Sequence, residues 1–176
     1  ISKDSKIDFR LLKSKSNFIR NNYLESSIGG FKGEIDKIII VPLLGFTILG
    51  NYALAVQFYS VLMIGSMVVF KYLLPQDSQG ISNPKLKKIT ILFSILISFL
   101  SIIFSPIIIS QFFPEYTDAI IAIQILSLSV LPATMGYLYI SKFLANEKGK
   151  FVLIGRIISL STLIIGMLIL PGYFGI

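Results

Sequence analysis

Five ionisable residues, Glu25, Lys32, Glu34, Asp36 and Lys37, lead directly into an uncharged run that lasts from Ile38 to Phe70. Carboxylates and ammonium groups in that position can hold a charged solute or hold one another. At about 100° per residue, Glu25, Lys32 and Asp36 fall within about 40° of one another on a helix, while Glu34 and Lys37 occupy the other side. An ionisable group at membrane depth costs at least about 2.5 to 3.5 kcal/mol, so such a face turns toward a bundle interior or an aqueous cavity and away from lipid. Two readings stand side by side. In one, Lys32, and with it Lys37, acts as a point-charge partner for phosphate. In the other, the charges neutralise each other, Lys32 with Asp36 at i, i+4 and Glu34 with Lys37 at i, i+3.

The composition limits what other chemistry is available. The chain has 176 residues and contains no cysteine and no histidine, which excludes disulfide frameworks, thiolate nucleophiles, Cys/His metal sites and imidazole-dependent triads together. No cofactor or metal is implied, and no hydrolytic or redox constellation is present; the reading is not an enzyme. Hydrophobic residues make up 54% and charged residues 14%, against roughly 25% charged in an ordinary soluble domain. A second uncharged run extends from Ile89 to Pro114. A water-soluble globule does not concentrate apolar residues in this way, and the net charge of +7 therefore bears on membrane topology and not on nucleic acid.

Helix arithmetic divides the chain. The 33 residues from Ile38 to Phe70 would form a helix of about 50 Å, longer than a hydrocarbon core of about 30 Å. Two spans fit if the chain turns in Gly45 to Asn51 and the first helix starts near Leu24. The expected architecture is an all-α, polytopic transmembrane bundle with helices at about 24–45, 51–74, 89–112, 119–143 and 151–170. A bend is expected near Pro106, and Pro132 and Gly136 fall near the middle of the fourth helix. Residues 1–20 precede this bundle (21–176) as a basic juxtamembrane segment that suits a membrane surface, or equally a solvated linker. These twenty residues lack the apolar core of a signal peptide, and a chain that opens on Ile1 is read as a fragment.

The lysines and arginines provide an independent criterion. In a five-span arrangement, the first block (Lys3, Lys6, Arg10, Lys13, Lys15, Arg20), the turn after helix two (Lys71, Lys85, Lys87, Lys88) and the turn after helix four (Lys142, Lys148, Lys150, with Arg156) share one side. These are fourteen of the sixteen basic residues, and the opposite turns hold none. That asymmetry marks the cytoplasmic face, so the chain is expected to start in the cytoplasm.

Against this background the order of several motifs is informative. EIDKIIIVPLLGFTILGNYALAVQF contains Asp36 and Lys37, then Leu44, Gly45, Leu49, Gly50 and Tyr52. Pro114, Glu115 and Tyr116 precede Ala119; Ala145, Lys148 and Lys150 form an A-x-x-K-x-K loop; and Pro171, Tyr173, Gly175 and Ile176 close the chain. Over nearly its whole length the chain resembles the polysaccharide and O-antigen flippases of the multidrug/oligosaccharidyl-lipid/polysaccharide exporter superfamily. It departs from them in the last helix, where Ser161, Thr162 and Gly166 stand in place of the asparagines often found there.

The resemblance implies a transporter of twelve to fourteen helices in two lobes, of which this chain supplies the first five of the second lobe, in the cytoplasmic membrane. It implies that a polyprenyl-pyrophosphate-linked glycan is moved by alternating access, with membrane lipid and the rest of the transporter chain as the other partners. Lys32, Asp36, Lys37 and Glu25 are then the candidate substrate-binding residues, with a lysine on the pyrophosphate. Gln57 and Gln124 are expected to bond neighbouring helices. Pro106 and Pro132 are expected to act as bends or simple packing irregularities. Tyr52, Tyr59, Tyr72, Tyr116, Tyr137, Tyr139 and Tyr173 are expected mostly at interfaces and in packing. A multidrug or small-cation exporter of the same superfamily and a structural membrane subunit are the alternatives. A cavity-facing excess of cations would favour lipid phosphate, and a lone buried carboxylate would favour cation export.

Overall fold

The computed structural model describes residues 15–174, apart from the side chains of Lys32, Leu43 and residues 170–174. Within these limits the chain is helical, and no strand occurs among the described residues. Helix α1 spans Ser16–Ser78, α2 Pro84–Phe112, α3 Ala119–Leu128, α4 Val130–Ala145 and α5 Gly149–Phe174, with a 3-10 turn at Pro114–Tyr116. Most of the basic juxtamembrane segment expected at 1–20 lies outside the described residues.

Helix α1 is two helices joined at one residue. Gly45 has φ 83° and ψ 174°, a conformation that residues with a Cβ rarely adopt. The Tyr52 hydroxyl donates to the Asp36 carboxylate. Sixteen residues of straight helix would separate this pair by about 24 Å, so the chain folds back sharply at Gly45. The turn expected over Gly45 to Asn51 is thus compressed into a single glycine, and the helix resumes at once. The first arm also begins at Ser16 and not near Leu24.

Cross-helix contacts give the direction of each element. Phe18 packs against Gly149, and Glu25 pairs with Arg156, both at a separation of 131 residues, so the first arm runs parallel to α5. Ala55 clusters with Ala119 and Ile123, Ser66 bonds Thr134, Phe70 meets Tyr137 and Asp77 meets Ser141, so the second arm runs parallel to α3 and α4. Helix α2 opposes both, through Ile109 on Ala119, Gln124 on Ile102 and Lys87 on Asp77. Lys15, Asp77, Lys87, Glu147 and Lys148 therefore gather at one end of the bundle, and Gly45 and Pro114–Tyr116 at the other.

Local chemistry explains the ends. At the end of α1, Gly80 has φ 75°, its N–H bonds Asp77 O at 3.1 Å, and the Ile81 N–H bonds Gln76 O at 3.0 Å; this pair of bonds satisfies carbonyls left over by the helix. Helix α2 opens with Pro84 at its first position, and the Asn83 side chain accepts the Leu86 N–H at 3.2 Å. Helix α2 then continues unbroken through Pro106. In the fourth helical segment expected from the sequence the break falls at Ser129, where α3 and α4 meet at 41°, three residues before Pro132. Proline removes the N–H that would bond the carbonyl of Leu128, so the helix opens one turn ahead of the ring.

The distribution of side chains is the inverse of a soluble core. Thr90, Ser94, Ser98 and Ser105 of α2 are buried with Ser66, Ser127, Thr134 and Ser141, while Phe93, Leu96, Phe99, Ile103, Phe104 and Ile107 are exposed. Small polar residues let backbones approach and bond across helices, and large apolar residues suit lipid. Among the described residues, Leu44–Ser78, Pro84–Phe112 and Gly149–Ile169 are each long and apolar enough to cross a membrane. The bent pair Ala119–Leu128 and Val130–Ala145 makes a fourth candidate. The first arm carries too many charges to join them on composition.

Candidate functional site

The polar face of the first arm is held by partners that arrive from distant parts of the chain. Glu25 receives two hydrogen bonds from Arg156 of α5, from Nε at 2.9 Å and Nη2 at 2.6 Å, both on Oε1. The Glu25 side chain is 13% exposed and that of Arg156 33%. One turn further on, a Cβ at Gly29 would lie 3.7 Å from the guanidinium, in ordinary van der Waals contact with it, so the first arm packs directly on the ion pair there.

Asp36 is 6% exposed. Its Oδ2 accepts from the Tyr52 hydroxyl and its Oδ1 from the Lys37 N–H at 2.8 Å. Glu25 and Asp36, which share a helix face, thus look toward α5 and toward the second arm respectively, and that face forms the seam between them. On the other side, Lys37 pairs with Glu34 at 3.1 Å in the i, i+3 geometry, with the Glu34 side chain 69% exposed. The backbone of Lys32 continues the helix three positions after Gly29; its side chain lies outside the described residues. Of the four candidate residues, two are tied to other helices and Lys37 is tied to its own.

Next to the seam lies a cleft of about 520 Å³ between the second arm, α4 and α5. Its walls are the aromatic rings of Tyr59, Tyr137, Tyr139, Phe143 and Phe151, with Arg156 and Ser159 as polar groups. Phe143 and Phe151 stack at 5.9 Å between ring centroids and close one end where α4 turns into α5. Arg156 belongs to the cleft and to the ion pair together. Its Nε and Nη2 face Glu25, and Nη1 takes no part in that pair. A planar guanidinium fixed in this way can present its remaining donors to a phosphate or carboxylate.

Two further polar assemblies brace the bundle. At the basic end, Asp77 receives Lys87 Nζ at 2.9 Å and the Ser141 hydroxyl at 2.8 Å, tying α1, α2 and α4. In the interior, Ser66 bonds Thr134 at 2.7 Å, Ser101 bonds Ser127 at 2.8 Å, Ser98 donates to Ser127 O, and the Gln124 amide donates to Ile102 O at 3.2 Å. Gln124 therefore bonds a neighbouring helix as its position in an apolar run suggests, whereas Gln57 is exposed. Among the described residues, no group of three or more acidic side chains could hold a metal ion.

Sequence reasoning missed Tyr52 as a partner of Asp36, Arg156 as a partner of Glu25, and the serine and threonine interior. For the last a signal existed: Thr90, Ser94, Ser98, Ser101 and Ser105 recur every three or four positions, which puts them on one helix face. For Arg156, its place one turn inside an apolar helix was the cue that a carboxylate must meet it. No family model, curated protein or solved structure matches the chain.

Proposed function

We propose that the chain is the opening part of the second lobe of a two-lobed transporter that moves a polyprenyl-pyrophosphate-linked oligosaccharide across the cytoplasmic membrane, with its amino-terminal arm entering from the cytoplasm as a fifth span. The observation that carries this reading is the cleft in which Arg156 stands among aromatic rings. A guanidinium is a bidentate partner for a pyrophosphate, and flat aromatic faces suit sugar rings and a prenyl chain. The gathering of basic residues at one end supports the cytoplasmic start. The sharp return at Gly45 and the parallel packing of the first arm on α5 support its reading as a span, because Glu25 and Asp36 are covered by protein and not by lipid.

The test is transport by the full-length protein in vesicles, with a fluorescent polyprenyl-pyrophosphate-linked oligosaccharide. Arg156→Lys keeps the charge and the Glu25 pair but loses the planar fork. It should reduce transport at least about tenfold, with abundance unchanged, the loss of one bidentate contact being worth roughly 1.4 kcal/mol or more. Normal transport by a stable Arg156→Lys protein, or no transport by the wild type, would reject the assignment.

A second reading, export of a small organic cation, is favoured by one observation: Asp36 is a buried carboxylate with a hydroxyl and a backbone N–H as its partners among the described residues. Under this reading the wild type moves a cationic dye, and Asp36→Asn abolishes that movement.

A further inference from the structure

We propose that the groove between α2 and α4 at the basic end of the bundle binds an anionic phospholipid, with its phosphate on Lys142 and Lys87 and one acyl chain running inward between the two helices. The groove has a volume of about 310 Å³ and its lining changes character along its length. Ser82, Lys87 and Lys142 form its outer part; Ile91, Leu138 and Met135 form its inner part. Helix α2 runs away from the basic end and α4 runs toward it. The order Lys87 to Ile91 on one wall and Lys142 to Leu138 to Met135 on the other is therefore the same gradient, cationic at the end of the bundle and apolar toward its middle. That is the profile of an amphiphile.

The charges are placed for a phosphodiester. Lys87 is held by Asp77 at 2.9 Å, which fixes its ammonium beside the groove while cancelling much of its charge. Lys142 makes no ion pair among the described residues and is the uncompensated cation. A smaller pocket of about 190 Å³ shares Tyr139 and Lys142 with the groove and adds Lys148 on its far side, so the positive field continues outward. Tyr139 stands 61% exposed between the two, in the position of an interfacial aromatic beside a headgroup. Basic recesses between membrane helices recognise anionic headgroups by this combination of focused charge and flanking apolar wall.

The experiment is native mass spectrometry of the full chain in a zwitterionic detergent, with phosphatidylglycerol and phosphatidylcholine of identical acyl chains. Phosphatidylglycerol should be retained at least about fivefold over phosphatidylcholine. Lys142→Gln should bring the two lipids level, Lys142→Arg should restore the preference, and Lys71→Gln, at an exposed lysine outside the groove, should leave it unchanged. Met135→Ser should lower retention of both lipids. Melting temperature reports that each variant is folded. Equal retention of the two lipids by the wild type, or an undiminished preference in folded Lys142→Gln, overturns the proposal. Displacement of phosphatidylglycerol by millimolar glycerol phosphate would show a site for free phosphate, and displacement by an equimolar short-chain polyprenyl pyrophosphate would show a substrate site; either result overturns the phospholipid assignment.

Discussion

Removing one member of the Glu25–Arg156 pair should destabilise the protein unequally, depending on which member is lost. Arg156→Gln leaves a carboxylate whose side chain is 13% exposed, with Nε and Nη2 both gone from Oε1. Breaking a buried pair from one side costs about 3–5 kcal/mol, and the one-third exposure of Arg156 moves the expectation down to about 2–3 kcal/mol through partial screening. At 1.4 kcal/mol per factor of ten, this is roughly 30- to 150-fold in the unfolding equilibrium. Glu25→Gln leaves the more exposed arginine, which can turn toward the cleft and water, and should cost about 1–2 kcal/mol. The double variant removes both charges and should return to within about 1 kcal/mol of the wild type. A detergent unfolding titration followed by circular dichroism measures all three. Wild-type stability in Arg156→Gln, or a double variant whose loss equals the sum of the single losses, would show that the first arm and α5 do not meet in this register.

Three other outcomes are expected. The chain has no native cysteine, so single cysteines at Ser82, Asn146 and Thr117 label cleanly; the first two should react from one side of the membrane and Thr117 from the other. Ser66→Cys with Thr134→Cys should form a disulfide on oxidation in the membrane, because the hydroxyl oxygens they replace are 2.7 Å apart, and a free double thiol would refute the pairing of the second arm with α4. Gly45→Ala should lower stability by about 1–3 kcal/mol in the same unfolding titration, because a Cβ strains the φ 83° turn, while a neutral effect would mean that the two arms are joined otherwise.

What could be read in the sequence was set by short-range chemistry. The uncharged runs, the clusters of basic residues and the glycine at position 45 announce membrane-length helices, a basic end shared by the clusters among the described residues, and a reversal, because each depends only on residue type and on distance along the chain. The i, i+3 pair of Glu34 and Lys37 belongs to the same class, since its geometry is internal to one helix. The seam and the cleft belong to another. Glu25 and Arg156 are 131 positions apart, and whether they meet depends on the direction and register of two helices whose apolar surfaces allow many alignments. The Asp36 carboxylate accepts from Tyr52, which a nearly complete reversal at one residue brings within reach. A turn spread over Gly45 to Asn51 would have unwound the residues leading to Tyr52 and left it at the very start of the second arm. Likewise Pro106 and Pro132 both mark bends in the sequence, but only the packed structure decides that the helix stays continuous through Pro106 and opens one turn ahead of Pro132. Helix period and charge are properties of a segment, whereas a polar contact in the bundle interior is a property of how two segments are docked. In an apolar environment docking is selected by the few hydroxyl, amide and ionic groups that must find each other.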